Sequence, residues 1–405
     1  MVPIRSATPQ PEPEGRESLV TSDLADDPVQ LLKALIACPS VTPETAGVLD
    51  VLDGALSTIG FTVTRLRFEG DGSYPVDNLF AVRGTGGRRL LFAGHTDVVP
   101  PGELANWSAD PFTPREADGK LYGRGAADMK SGIAAFIAAC AAIPDDAGTI
   151  MLAITNDEEA DAINGTDKLM AWAEAQQHHF DFAIVGEPSS AAALGDSIKI
   201  GRRGSLSGTI TVTGIQGHVA YPDKANNPLP ALARIVTALD TVIDTGTAHF
   251  PATNLEVISI DVGNAVSNVI PAAGTIRFNI RYNDLWTPET LADWVRGRIA
   301  SVDPAGATVS FAVAGTPSRS FLSPLSGDVD LLSDAIAGVT GRRPEFSTGG
   351  GTSDARFIAQ YGPVVECGLV GPSMHKADEH IAVSDLIGLT DIYRAFMVRF
   401  FGAGA

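Results

Sequence analysis

Two histidines and several carboxylates stand at the ends of apolar runs in a chain of 405 residues. In LLFAGHTDVVP, His95 and Asp97 are two apart after a nearly continuous apolar stretch. Alternate residues of a strand share a face. One imidazole nitrogen can then bind a metal while the carboxylate accepts the other ring N–H and fixes the tautomer. Taken alone, the pair is equally compatible with a surface turn. GRGAADMKSG places Asp128 just before a helix that begins near Lys130. Such an Asp can cap the helix or, after a Gly-rich loop, offer its two oxygens to two cations. TNDEEADAINGT sets Asp157, Glu158 and Glu159 after the apolar run TIMLAITN. Three adjacent acids repel one another unless a cation compensates them; a solvated acidic loop is the other reading. Adjacent side chains diverge, so one Glu can bind metal while its neighbour addresses a water. IVGEP repeats the arrangement with Glu187, and GPSMHKADEH supplies His375 after VVECGLVG. Acids at the ends of buried parallel strands occupy the crevice in which open α/β sheets bind ligands. Two His and several carboxylates, each at a strand end, point to a binuclear site. Mixed N/O ligands without thiolate suit Zn, Co or Mn.

The elements that must position these residues follow from the hydrophobic pattern. A first helix is expected from Pro28, capped by Asp26 or Asp27, and a second from Thr42 to Ile59 with Thr42 as its cap. FTVTRLRF, NLFAVRG and RLLFAGHTDVV read as strands, the last buried on both faces. KSGIAAFIAACAAI reads as a helix, TIMLAITN as a strand, GTDKLMAWAEAQQ as a helix and FDFAIVGEP as a strand. This alternation predicts an α/β layer with a parallel or mixed sheet. The pattern changes near Lys199. SLSGTITVTG alternates as a half-exposed strand does. A helix over Leu229–Ile243, two strands, the helix TPETLADWVRGRIA and the strand ATVSFAVAG follow. That β-α-β-β-α-β order is the order of a ferredoxin-like domain, inserted in the first. The expected division is 1–27 as a disordered arm, 28–202 with 314–405 as one α/β domain, and 203–313 as the insert.

Composition narrows the function. Apolar residues make up 44% and charged residues 19%, so a packed core is expected. Forty-eight acidic against 29 basic residues give a net charge of −19. No basic surplus exists to neutralise phosphates, which argues against nucleic acid as a partner and against an anionic membrane surface. No apolar run reaches the ~18 residues of a transmembrane helix, and residues 1–28 lack the apolar stretch of a signal peptide. Cys38, Cys140 and Cys367 are far apart in apolar contexts and read as buried thiols of a reducing, cytoplasmic compartment. An anionic ligand would have to be held by a few specific arginines against the global field.

The motifs GHTDVVPPG, YGRGAADMKSG, NDEEADAINGT, GEP, GRRGSLSG, QGHVAYP, SNVIPA, GGTSDAR and MHKADE occur in the order found in the M20 metallopeptidase family of di-zinc amidohydrolases, which the chain resembles over 28–405. The resemblance implies a zinc-aminopeptidase-like catalytic domain with a mixed sheet and a ferredoxin-like dimerisation domain over 203–313. It implies two Zn2+ per subunit, with Co2+ able to substitute at one site. Asp128 would bridge the metals, His95 and Glu187 would complete one site, and Glu159 and His375 the other. Glu158 would be the general base, and Asp97 would support His95. His218 would reach the partner subunit's active site in a homodimer. Arg202, Arg281, Asn268, Gly351 and Thr352 match substrate-binding positions, and the peptide Asp128–Met129 would be cis. Read from the residues alone, His218 in its Gly-His turn is more often a surface histidine, Arg202 and Arg203 are compatible with edge-strand charges, and Gly349–Gly351 with turn glycines. The implied activity is metal-dependent amide hydrolysis of a small anionic substrate, N-succinyl-LL-2,6-diaminopimelate. The alternative is an N-acetylornithine deacetylase or another amino-acid deacylase or carboxypeptidase of the family. Ala160-Asp161, Asp223-Lys224 and Ala355 depart from the usual family residues without removing a ligand.

Overall fold

The computed structural model describes residues 24–402. The expected N-terminal arm lies outside the described residues through position 23. The first helix, Pro28–Ile36, is capped by the Asp27 carboxylate, which accepts from the N–H groups of Val29 and Gln30. The second helix corrects the expectation: it runs Val48–Thr58, with Gly47 at its cap, and does not start at Thr42. Thr42 is used elsewhere, its hydroxyl donating to the Asp97 carboxylate at 2.7 Å. The helix expected over Leu229–Ile243 runs Leu229–Leu239 and so also stops short.

An eight-stranded sheet forms the larger layer. Its strand order is Thr62–Gly70, Ser73–Arg83, Thr149–Thr155, Arg89–His95, Phe182–Val185, Val364–Glu366, Ser197–Lys199 and Glu345–Ser347. The four strands Thr149–Thr155, Arg89–His95, Phe182–Val185 and Val364–Glu366 are parallel neighbours, and antiparallel pairs flank them. The sheet is thus mixed, as expected. Side chains alternate across it. Leu90 and Phe92 join the core beneath the helices Lys130–Ala141 and Val383–Gly402, while Leu91 and Ala93 join the core on the opposite face. Helices therefore cover both faces, and each fully buried Leu or Phe contributes about 1.5–3 kcal/mol. The Phe92 ring stacks on Phe136 at 4.2 Å, which docks the helix Lys130–Ala141 over the sheet centre.

A second sheet is built from Asn254–Asp261, Ala273–Tyr282, Gly204–Thr213 and Thr308–Ser318 in that spatial order, all antiparallel. With the helices Leu229–Leu239 and Pro288–Ala300 it has the ferredoxin-like arrangement. The helix Pro288–Ala300 opens with a capping box between Thr287 and Thr290. The helices bury one face of the sheet through Leu206, Ile210, Val212, Ile276, Phe278 and Ile280. Among the described residues no helix is long and apolar enough to cross a membrane.

The helix Lys130–Ala141 follows Asp128 and lies against the strand end that precedes Glu187. The contact requires glycine, because a Cβ on Gly132 would sit 2.3 Å from the Gly186 carbonyl oxygen. Alanine gains up to ~1 kcal/mol of helix propensity, but overpacking against fixed backbone costs about 1–3 kcal/mol. Gly132→Ala is expected to lower stability, read as a reduced denaturant midpoint in chemical unfolding; an unchanged or raised midpoint would contradict this packing.

Candidate metal centre

The parallel strands deliver the chemistry at their C-terminal ends. His95 is the last residue of its strand; Glu158 and Glu159 follow Thr155, and Glu187 follows Val185 by two. Asp128 precedes the helix Lys130–Ala141, but the cap position is Met129 and no side chain caps it. Asp128 is therefore not the helix cap. The Asp128–Met129 peptide is cis, as the resemblance implied.

The two oxygens of Asp128 divide between the two histidines. Its Oδ1 lies 3.2 Å from His95 Nε2 and its Oδ2 3.3 Å from His375 Nε2. Glu187 Oε1 is 3.6 Å from His95 Nε2, and Glu159 Oε1 is 3.0 Å from His375 Nε2. Two ligand-type triads result, His95–Asp128–Glu187 and Asp128–Glu159–His375, sharing the one aspartate. A third group joins His95, Glu158 and Glu159. Within each group the ligand-type atoms lie within 4.8 Å of one another. The first triad is buried, whereas the His375 side chain is 47% exposed.

Four carboxylates so close together strain one another electrostatically. Burial raises Glu158 and Glu187 well above the usual carboxylate range; the negative charge of Asp128 adds to both, and Asp354 and Glu159 add to Glu158. His95 is raised well above its usual value: burial opposes its charge, but the hydrogen bond to Asp128 and the carboxylates of Glu187 and Asp97 prevail. His375, bonded to Asp128 and Glu159, is raised to about 10. The field that drives both imidazoles toward their cationic form is a field that attracts a divalent cation. Six N/O donors with no thiolate fit such an ion pair.

The supports of these groups differ in part from expectation. His95 Nδ1 meets the main-chain carbonyl of Asp97 at 2.9 Å, while the Asp97 carboxylate is 3.6 Å away. That carboxylate instead accepts from the N–H groups of Glu158 and Glu159 at 3.1–3.2 Å. Asp97 thus orients the acidic loop with its side chain and the histidine with its backbone. Asp157 points away from the centre: it accepts from Tyr74 Oη and from the N–H groups of Ile163 and Asn164, bracing the same loop.

Not every expected residue joins the cluster. His218 is exposed on a two-residue strand paired with Val269–Ile270, where its Nδ1 accepts from Ala220 N. It belongs to none of the three ligand-type groups. Asn268 lies beside it, its carbonyl accepting from Val219 N. Arg281 is half-buried in the small sheet, opposite Ser205 and Asn254. Its charge is disfavoured by burial and then by Arg203. Arg202 is buried and committed within the chain. Its Nε donates to both Glu366 oxygens at 2.8 and 3.0 Å, its Nη2 donates to Oε2, and its Nη1 donates to the Gly351 carbonyl at 3.1 Å. Gly351 and Thr352 lie on the loop this guanidinium holds. Gly350, with φ +104, leaves the space: a Cβ there would stand 2.5 Å from Arg202 Nη1.

Sequence reasoning missed Glu366 and Glu379. Glu366 was legible as the one acid inside the apolar strand Val364–Glu366. Glu379 was masked by its acidic neighbour Asp378 in an otherwise polar loop.

Residues 91–399 match the profile of Peptidase family M20/M25/M40. The chain is 52% identical over 387 residues to the succinyl-diaminopimelate desuccinylase of Rhodospirillum centenum, covering 94% of this chain and 99% of that one. It is 52% identical over 384 residues to the enzyme of the same name from Methylorubrum populi, covering 93% and 99%. Among solved structures, a Staphylococcus aureus tripeptidase superposes with a TM-score of 0.76 at 17% identity, covering 93% of this chain and 99% of that one, a likeness of fold. On the profile and the near full-length relatives together, the chain belongs to Peptidase family M20/M25/M40.

Proposed function

We propose that the protein is a di-zinc amide hydrolase that cleaves N-succinyl-LL-2,6-diaminopimelate to succinate and LL-2,6-diaminopimelate. The observation that carries the chemistry is the division of the Asp128 oxygens between His95 and His375. The near full-length relatives named for this reaction support the substrate. In this reading His95, Asp128 and Glu187 hold one cation and Asp128, Glu159 and His375 the other, with Co2+ able to replace Zn2+ at one site. Two such cations supply Lewis-acid polarisation and lower the pKa of water. Glu158 takes the proton of the attacking water and returns it to the leaving amine. Its burial raises it above the usual carboxylate range, which makes it a stronger proton acceptor than a free carboxylate and leaves it able to return the proton. Arg281 and the Gly351–Thr352 loop face the anionic substrate, with Asn268 beside His218; a carboxylate near Arg281 and Arg203 would relieve their mutual repulsion. Arg202 serves this set by holding the loop. His218 acts on the scissile carbonyl in the partner subunit's active site. The homodimer forms through 203–313, whose sheet exposes Ile258 and Ile260 on one edge strand and Val313 on the other. The compartment is cytoplasmic, where the buried thiols of Cys140 and Cys367 stay reduced.

Metal content tests the centre. Wild type is expected to take up two Zn2+ per chain in isothermal titration and His375→Ala one; two ions in both would remove His375 from the ligand set. Turnover tests the reaction. The N-succinyl substrate should exceed its N-acetyl analogue by about 10–100-fold in kcat/KM, the worth of a charged contact. Glu158→Gln should keep its metals and lose about 10²–10⁴-fold in kcat. Preference for the acetyl compound would point to the deacetylase alternative. Subunit exchange tests action in trans. A mixed dimer of His218→Ala and Glu158→Gln chains contains one site with both groups intact and should regain activity that neither parent shows. Silence after verified exchange would place His218 outside its neighbour's chemistry.

A further inference from the structure

The two triads are not held alike. His95, Asp128 and Glu187 are buried at the sheet centre, whereas His375 is half-exposed on the loop between Ser373 and His380 and has φ +61. A ligand on such a loop needs an anchor, and one lies four residues on. The buried carboxylate of Glu379 accepts four hydrogen bonds. Its Oε2 takes Arg124 Nη1 at 2.6 Å and Gly125 N at 3.0 Å; its Oε1 takes Ala127 N at 2.8 Å and Asp128 N at 3.1 Å. Its own carbonyl accepts from Gly123 N. Both oxygens are thus saturated by the segment that ends in the shared aspartate. Asp378 ties the same loop at one further point, accepting from the N–H and hydroxyl of Ser108.

We propose that Glu379 is a positioning residue of the metal centre: it sets the separation of His375 from Asp128, and so controls the affinity of the Asp128–Glu159–His375 site. It touches no ligand-type nitrogen and no reacting atom. It acts by joining the His375 loop to the backbone of Asp128 through one rigid carboxylate, as outer partners of metal ligands do, whose loss typically costs about 10–100-fold in affinity. The His95–Asp128–Glu187 site keeps two of its three ligands on strand ends that Glu379 does not contact, so it is spared.

This inference rests on the two-metal reading, and Co2+ titration, followed calorimetrically and by the visible absorption of the bound ion, separates the two. Wild type should bind two ions. Glu379→Gln, which presents an amide N–H₂ to groups that are themselves donors, should bind one ion as wild type does and the other about 10–100-fold more weakly. The retained ion should be the one that survives His375→Ala, so the double variant should match His375→Ala alone. Equal weakening of both ions, or no weakening, overturns the proposal. If Glu379→Gln does not fold, Glu379→Asp carries the test, since it keeps the charge and withdraws it by one methylene. The same loss of one ion is expected there, and unchanged stepwise affinities, or failure of both variants to fold, overturn the positioning role. A wild-type chain that takes up a single ion sinks the two-metal reading and this proposal with it; two ions in wild type, both unchanged in the variants, sink this proposal alone.

Discussion

Mutual repulsion among Asp128, Glu158, Glu159 and Glu187 is the constraint around which the catalytic layer is organised. Burial already disfavours the charges of Glu158 and Glu187, and the neighbouring carboxylates compound the cost. Two requirements follow. Positive charge must enter the cluster, and the backbone carrying the acids must be held against their tendency to separate. The second requirement is met by carboxylates that are not ligands at all. Asp97 binds the N–H groups of Glu158 and Glu159, Asp157 braces the far side of the same loop, and Glu379 binds the segment ending at Asp128. Each turns a negative charge toward backbone donors and away from the centre.

The sheet makes that arrangement affordable by supplying rigid origins. Three adjacent parallel strands end within one crevice, so His95, the Glu158–Glu159 pair and Glu187 reach one place without long loops. The next parallel strand ends in Glu366, which receives Arg202 and the Ser353 hydroxyl. Arg202 lies two residues before the strand Gly204–Thr213 that opens the small sheet, and it also donates to the Gly349 and Gly351 carbonyls. The large sheet, the Gly349–Gly351 loop and the entry to the small sheet are therefore joined through one buried ion pair. Breaking such a pair by removing one partner is costly because a charge is left buried and alone.

Much of the fold was legible because local pattern and global environment agreed. The run from Arg89 to His95 is apolar because both of its faces are covered, and the strands of the small sheet alternate because one face is. The misreading at Thr42 shows where local signals stop. Thr-Pro followed by an apolar periodicity is a sound helix start, but Thr42 donates to Asp97, fifty-five residues away, and the helix waits until Val48. Arg202 is similar. Its motif marks it as a substrate-binding position, yet its guanidinium is consumed by Glu366, 164 residues away, and by the Gly349 and Gly351 carbonyls.

The sequence by itself determined which residue types stand at which strand ends, and with them the metal-type chemistry, the mixed sheet and the ferredoxin-like insert. Those features follow from side-chain periodicity and from the identity of single residues, both of which are local. Only the tertiary structure decided which oxygen of Asp128 faces which histidine, that the Asp97 carboxylate supports the acidic loop, and that Glu379 closes on Gly125–Asp128 from more than 250 residues away. Hydrogen bonds of that span leave no periodic trace in the chain, because their partners are chosen by where the packed layers bring the backbone and not by spacing along it.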